Sequence, residues 1–182
     1  MRQTPDIVII GNIAYDIFVN GNENIKNFGG AGYYAGVASS LHTQTAVVSR
    51  VGGDFDFSRF KNLISKTNLD ISAVKVLNKE RTINFTTKYL KSDGSIRKVL
   101  DDISENLYPC YLDISEEYFQ AKYFYITTNP AHIQLKLIDY IKSHSNAKIC
   151  VFKLNGMNIP KANANTGTPM KLRINAKAAP AK

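Results

Sequence analysis

Asn27-Phe28-Gly29-Gly30-Ala31-Gly32-Tyr33-Tyr34-Ala35-Gly36-Val37-Ala38-Ser39-Ser40-Leu41 runs a glycine cluster straight into a stretch of small residues, and its reading decides the fold. Gly29, Gly30 and Gly32 place no Cβ against a bound polar molecule and permit the positive φ of a tight strand-to-helix turn. A helix beginning near Ala31 aims its free N–H groups and positive dipole end at the same point, which suits hydroxyls or an anion. Gly32, Ala35, Gly36, Ser39 and Ser40 then share one face, so the helix can lie very close to a sheet. A turn with a close packing contact would also account for these glycines, and both uses stay open at this point. Two nucleotide-binding strings are excluded. Gly30-x-Gly32-x-x-x-Gly36 carries its last glycine one residue too late for the dinucleotide fingerprint, and no Gly-x-x-x-x-Gly-Lys-Ser/Thr string occurs.

The residues before the cluster add polar chemistry. Ile7-Val8-Ile9-Ile10, bounded by Asp6 and Gly11, reads as a strand buried on both faces. Gly11-Asn12 forms its polar exit. Ile13, Tyr15, Ile17 and Val19 then alternate with Ala14, Asp16 and Phe18, as a half-buried strand does. Asp16 falls between Ala14 and Phe18, where a carboxylate is either solvated or hydrogen-bonded, because an unpaired buried charge is costly. A sugar diol suits it, since a carboxylate accepts two hydroxyl hydrogen bonds.

Further strands are expected at Ala46–Ser49, Tyr123–Ile126 and Lys148–Phe152, with helical patterns between them, which argues for an α/β fold with a parallel sheet covered on both faces. One helix is expected from Asp54, as cap, to Lys66, with Phe57, Phe60, Leu63 and Ile64 inward. Another is expected from Asn129 as cap and Pro130 as first residue, burying Ile133, Leu137, Ile138 and Ile141. Between them Ile83, Phe85, Thr87 and Tyr89 alternate with Thr82, Asn84, Thr86 and Lys88. Ser92-Asp93-Gly94-Ser95 then turns into Ile96–Leu100, giving a second sheet with one wet face.

Gly11-Asn12-x-x-x-Asp16, Gly29-Gly30-Ala31-Gly32 and Val48-Ser49-Arg50-Val51-Gly52-Gly53-Asp54, in that order and spacing, resemble the start of the ribokinase (PfkB) family of sugar and nucleoside kinases. The resemblance covers roughly residues 6 to 150. It implies a ribokinase-like, three-layer parallel-sheet core, incomplete here, with a small β-sheet lid over the substrate and often a dimer contact through that lid. The lid is expected in segments near 12–28 and 72–101, made of Ile13–Val19, Lys26–Phe28, Ser72–Leu77, Thr82–Leu90 and Ile96–Leu100. By the same resemblance Asp16, Gly29 and Gly30 contact substrate hydroxyls, and Asn12, Gly32 and Tyr34 complete the candidate substrate-binding set. ATP and Mg²⁺ are the cofactors it implies, and a sugar or nucleoside is the substrate. The chain departs from the family at Tyr34, where ribokinases proper often have asparagine, and at Ala14, where some members offer a second polar contact. Tyr33 and Tyr34 either stack on a sugar or base or simply pack.

The domain-like region is expected over residues 1–151 and an irregular, disordered basic tail over 152–182. From Phe152 onward lie Lys153, Lys161, Lys171, Arg173, Lys177 and Lys182 and no acid, so the tail holds six of the eight net positive charges. The globular part is close to neutral, and scattered bases with a single aromatic argue against specific nucleic-acid binding. The change of composition after Val151 marks an expected interruption of the family-like sequence. The Gly-Ala-Gly-Asp motif, which in the family supplies the catalytic aspartate and the amide nest for the transferred phosphate, does not occur, so no catalytic residue is assigned and the chain alone is expected to be inactive. A noncatalytic polyol-binding or lid-mediated dimerisation module is the alternative, and a product without function is a third. His42, His132 and His144 are isolated, and no metal-ligand spacing is present. Cys110 and Cys150 read as packed or free thiols of a reducing, cytoplasmic setting, with a disulfide between them left open. No apolar run approaches the roughly 20 residues that cross a bilayer, so no membrane partner is expected.

Overall fold

The computed structural model describes residues 4–20, 23–89, 96–100 and 103–152. The expected turn at Ser92–Ser95 and the tail from Lys153 to Lys182 lie outside them. In chain order the elements are β1 (Ile7–Ile10), β2 (Ala14–Asn20), β3 (Glu23–Gly29), α1 (Ala31–Ser40), β4 (Thr45–Gly52), α2 (Phe57–Ile64), β5 (Leu69–Asp70), β6 (Val74–Leu77), β7 (Asn84–Tyr89) and β8 (Ile96–Leu100). Three short 3-10 turns between Glu105 and Gln120 follow, and then β9 (Tyr123–Ile126), α3 (Ala131–His144) and β10 (Lys148–Val151).

The apolar runs assemble as one parallel sheet in the order β10-β9-β1-β4-β5, with β6 beside the far end of β4. β1 lies between β4 and β9, pairing Ile10 with Val48 and with Ile126. Its alternate side chains serve opposite layers. Val8 and Ile10 pack with Leu137, Ile138 and Ile141 of α3, whereas Ile9 packs with Phe60 and Ile64 of α2. Covering helices on both faces explain why this sheet reads as unbroken apolar runs. Helix α1 lies on β4 where the small-residue face was expected to allow it: a Cβ on Gly36 would stand 2.5 Å from Val47 Cγ2. The second sheet, in the order β3-β2-β7-β8, is mixed, with β2 antiparallel to β3 and parallel to β7.

Four local expectations are corrected. Ser72–Leu77 is not part of the second sheet: Val74–Leu77 pairs with Ser49–Gly52 and extends the central one. Asp54 does not cap α2, because Asp56 does, its Oδ1 accepting from the Arg59 N–H at 2.9 Å. Leu63 points outward, 56% exposed, while Phe60 and Ile64 are buried. Helix α3 is capped by Pro130 and not by Asn129, whose Nδ2 instead donates to Thr127 O at 3.3 Å and Ile10 O at 3.5 Å.

The segment carrying the 3-10 turns is tied to the central sheet by one buried carboxylate. Arg50 on β4 donates from Nε to Asp113 Oδ2 at 2.6 Å and from Nη2 to Oδ1 at 3.1 Å. Lys75 Nζ lies 2.9 Å from Oδ1, and the Cys110 N–H donates to Oδ2 at 2.8 Å. Burial pushes the Asp113 carboxyl up, but the hydrogen bonds from Arg50, Cys110 and Lys75 outweigh it and hold the group below the usual carboxylate value. A folded value below the unfolded one means the contribution is present above about pH 4 and is lost as pH falls through the folded value. The Asp113 side chain is fully buried, while Arg50 is 20% and Lys75 50% exposed. Solvent screening of both cations sets the cost of Asp113→Ala at the low end for a broken buried pair, about 3 kcal/mol at pH 7. Urea unfolding at pH 7 and pH 3 checks this: the gap between wild type and variant narrows at the lower pH.

Candidate functional site

The site lies outside the carboxyl ends of β1 and β9, the edge at which open parallel sheets place ligands. β1 leaves the sheet at Gly11 with no room for a side chain, since a Cβ there would stand 1.8 Å from Thr127 Oγ1. The next residue, Asn12, is 6% exposed, and its Oδ1 accepts no hydrogen bond from any described residue. The glycine turn packs on this exit. Gly30 takes φ +91°, and the Gly32 N–H donates to Asn12 O at 2.8 Å. A Cβ on Gly30 would meet Asn12 O at 2.5 Å, and one on Gly32 would meet Gly11 O at 2.6 Å. Gly30 is also the N-cap of α1 and supplies no side chain to it. Of the first amides of that helix, the Gly32 N–H is taken by Asn12 O, and no side chain caps the others.

Asp16 reaches the same place from β2. Ala14 pairs with Gly29 and Asp16 with Asn27 across the antiparallel ladder, which puts Asp16 and Gly29 on one face of the small sheet. A Cβ on Gly29 would stand 2.2 Å from Asp16 Cγ, so the missing side chain is what lets the carboxylate lie over the turn. Tyr34, from the first turns of α1, donates its hydroxyl to Asp16 Oδ2 at 2.6 Å. The six candidates Asn12, Asp16, Gly29, Gly30, Gly32 and Tyr34 thus meet at one spot. The Tyr34 ring packs 5.1 Å from that of Tyr33 although the side chain is 54% exposed, and its hydroxyl has a use not foreseen, holding the carboxylate.

This contact marks the phenol. The Tyr34 pKa is pushed up to about 12, first by the hydrogen bond to Asp16 and then by burial. Removing the acceptor in Asp16→Ala brings it back toward the ordinary tyrosine value of about 10. Titration of ¹³C-labelled tyrosine rings by NMR is the check, with one resonance shifting its midpoint downward in the variant.

Two further residues sit at this edge that the sequence reading assigned elsewhere or passed over. Thr127 Oγ1 donates to Ile10 O at 3.2 Å, tying the exit of β9 to that of β1. Asn129 is 1% exposed, and its Oδ1, like that of Asn12, accepts no hydrogen bond from any described residue. A polar Thr-Thr-Asn-Pro exit after a buried apolar strand was the available signal, given where parallel sheets bind ligands.

The motif Val48–Asp54 holds the two sheets together. Asp54 Oδ1 accepts from the Thr82 N–H at 2.7 Å and from Thr82 Oγ1 at 2.8 Å, and the Gly52 N–H donates to Thr82 Oγ1 at 3.1 Å. The Gly53 N–H donates to Glu80 O at 3.1 Å. Burial works to raise the Asp54 carboxyl, yet the two bonds from Thr82 lead the contributions that bring it below its usual value. This clasp anchors the chain just before β7, the strand that flanks Asp16 in the small sheet.

Comparison with known proteins places the molecule. The pfkB family carbohydrate kinase model matches residues 6–156, and the chain belongs to that family. It is 31% identical over 140 residues to a cytidine kinase of Thermococcus kodakarensis, covering 75% of this chain and 48% of that protein. It is 28% identical over 112 residues to a nucleoside kinase of Methanothermobacter thermautotrophicus, covering 54% of this chain and 35% of that one. The chain therefore spans half or less of the curated relatives it matches. A fructokinase with bound ATP from Xylella fastidiosa superposes with a TM-score of 0.67 at 14% identity, over 86% of this chain and 51% of that one, which shows the same fold.

Among the described residues no helix is long and apolar enough to cross a membrane, and no three His, Cys, Asp or Glu side chains converge as a metal site requires. Cys110 and Cys150 are both free thiols.

Proposed function

We propose that these residues form the acceptor-binding half of an ATP-dependent kinase that phosphorylates an alcohol group of a nucleoside or sugar. The observation that carries this reading is the Asp16 carboxylate, seated over the Cβ-free Gly29–Gly30 turn beside the first amides of α1. A carboxylate beside the uncapped start of a helix offers a polyol an acceptor and the backbone donors that Asn12 O does not take. The buried Asn12 and Asn129 amide oxygens add two acceptors left unpaired among the described residues. Similarity to a cytidine kinase and a nucleoside kinase favours a nucleoside.

ATP and Mg²⁺ are the cofactors the family implies, and no residue of this chain is assigned to them. The described residues hold no metal-type cluster, and the sequence contains neither a Gly-Ala-Gly-Asp string nor a P-loop. Phosphoryl transfer depends on positioning and charge stabilisation of the phosphate, so the 182 residues alone bind an acceptor without turning it over. Calorimetric titration with cytidine, ribose and fructose, beside an assay of label transfer from γ-labelled ATP, tests this. Saturable binding of at least one acceptor without transfer is expected. Absence of binding to all three overturns the reading, and measurable transfer overturns its second clause.

A further inference from the structure

Tyr34 holds a position at the carboxylate that an acceptor hydroxyl would otherwise use. A carboxylate that binds a vicinal diol in a forked manner offers one oxygen to each hydroxyl. In this protein the Tyr34 hydroxyl donates to Asp16 Oδ2 at 2.6 Å, the short distance of a charge-assisted bond. Oδ1 accepts no hydrogen bond among the described residues. The phenol is braced from behind. Its ring lies 5.1 Å from that of Tyr33, which in turn packs at 5.9 Å from Phe60 and 6.4 Å from Phe28 in the core. Gly29 contributes no side chain that could turn the carboxylate away.

We propose that Tyr34 is a specificity-determining residue: its hydroxyl stands in for one of the acceptor's two vicinal hydroxyls at Asp16, so the site reads one hydroxyl of the diol and ignores the other. The inference rests on the acceptor-site reading and narrows it. Ribose-type acceptors lacking the unread hydroxyl are then bound as well as the parent, while those lacking the read hydroxyl are not. Freeing Oδ2 restores recognition of both.

The test is a titration of wild type and Tyr34→Phe with cytidine, 2′-deoxycytidine and 3′-deoxycytidine. Ribose with its 2-deoxy and 3-deoxy forms is used in the same way if ribose is the parent that binds. A hydrogen bond to a charged group is worth roughly tenfold or more in affinity. In wild type one deoxy form therefore binds within about threefold of its parent, and the other at least about tenfold more weakly. In Tyr34→Phe both deoxy forms fall by about tenfold or more. Loss of affinity for both deoxy forms in wild type, loss for neither, or an unchanged pattern in Tyr34→Phe overturns the proposal while the acceptor site stands. Failure of every parent to bind removes the acceptor site itself, and the proposal with it.

Discussion

Asparagine in place of Asp16 weakens acceptor binding by roughly ten- to a hundredfold and leaves the urea midpoint nearly unchanged. The two effects separate because the carboxylate does little for the fold. Asp16 is half-buried, and its hydrogen-bond partner is Tyr34, to which an amide oxygen can still serve as acceptor. The isosteric amide also fits over Gly29, where no Cβ intrudes. What changes is the face offered to a polyol: one charged acceptor oxygen becomes an NH₂ that opposes a hydroxyl proton instead of receiving it. Calorimetry on the variant gives the first number and urea unfolding the second. Equal affinity for wild type and variant would remove Asp16 from the site.

Gly52→Ala is expected to cost about 3–5 kcal/mol, a large part of the stability of an ordinary domain. A Cβ at this position would stand 2.3 Å from Thr82 N, 2.5 Å from Arg81 C and 2.6 Å from Glu80 O. All three are backbone atoms, so relief requires moving the segment that precedes β7. That movement breaks the bond from Gly52 N–H to Thr82 Oγ1 and strains the bond from Gly53 N–H to Glu80 O. Thr82 is 2% exposed, so water cannot replace what it loses. The urea midpoint reports the total, and hydrogen exchange locates it: amides of β7 exchange faster, while those of β1 and β9 follow the global loss. A loss below about 1 kcal/mol would show the clasp to be dispensable.

The central sheet was legible because its strands are short apolar runs between polar exits, a pattern that burial on both faces imposes. Ile7–Ile10 and Tyr123–Ile126 fall at the expected residues, and the glycine turn opens α1 at Ala31 as read. Errors arose where a tertiary partner outcompeted a local rule. Asp54 and Asp56 are both good cap residues two positions apart, and Thr82, 28 residues away, draws the first into the clasp and leaves the second to cap α2. The resemblance puts Val74–Leu77 in the lid, but four residues do not say which neighbour a strand pairs with, and the far end of β4 receives them. At the site, the residue types and their order were readable. The Tyr34 bond to Asp16 was not, because it joins the first turns of a helix to a strand 18 residues earlier and depends on how closely Gly29 lets the two approach.

The most direct test of the acceptor site is a ¹⁵N–¹H NMR titration of the whole chain with the acceptor that calorimetry identifies. Glycine amides resolve well, and Gly29, Gly30 and Gly32 should shift together with Asp16 and Tyr34 as the acceptor saturates. Saturable shifts confined to another surface, such as the hollow lined by Lys122, His144 and Lys148 at the opposite end of β9 and β10, would contradict it.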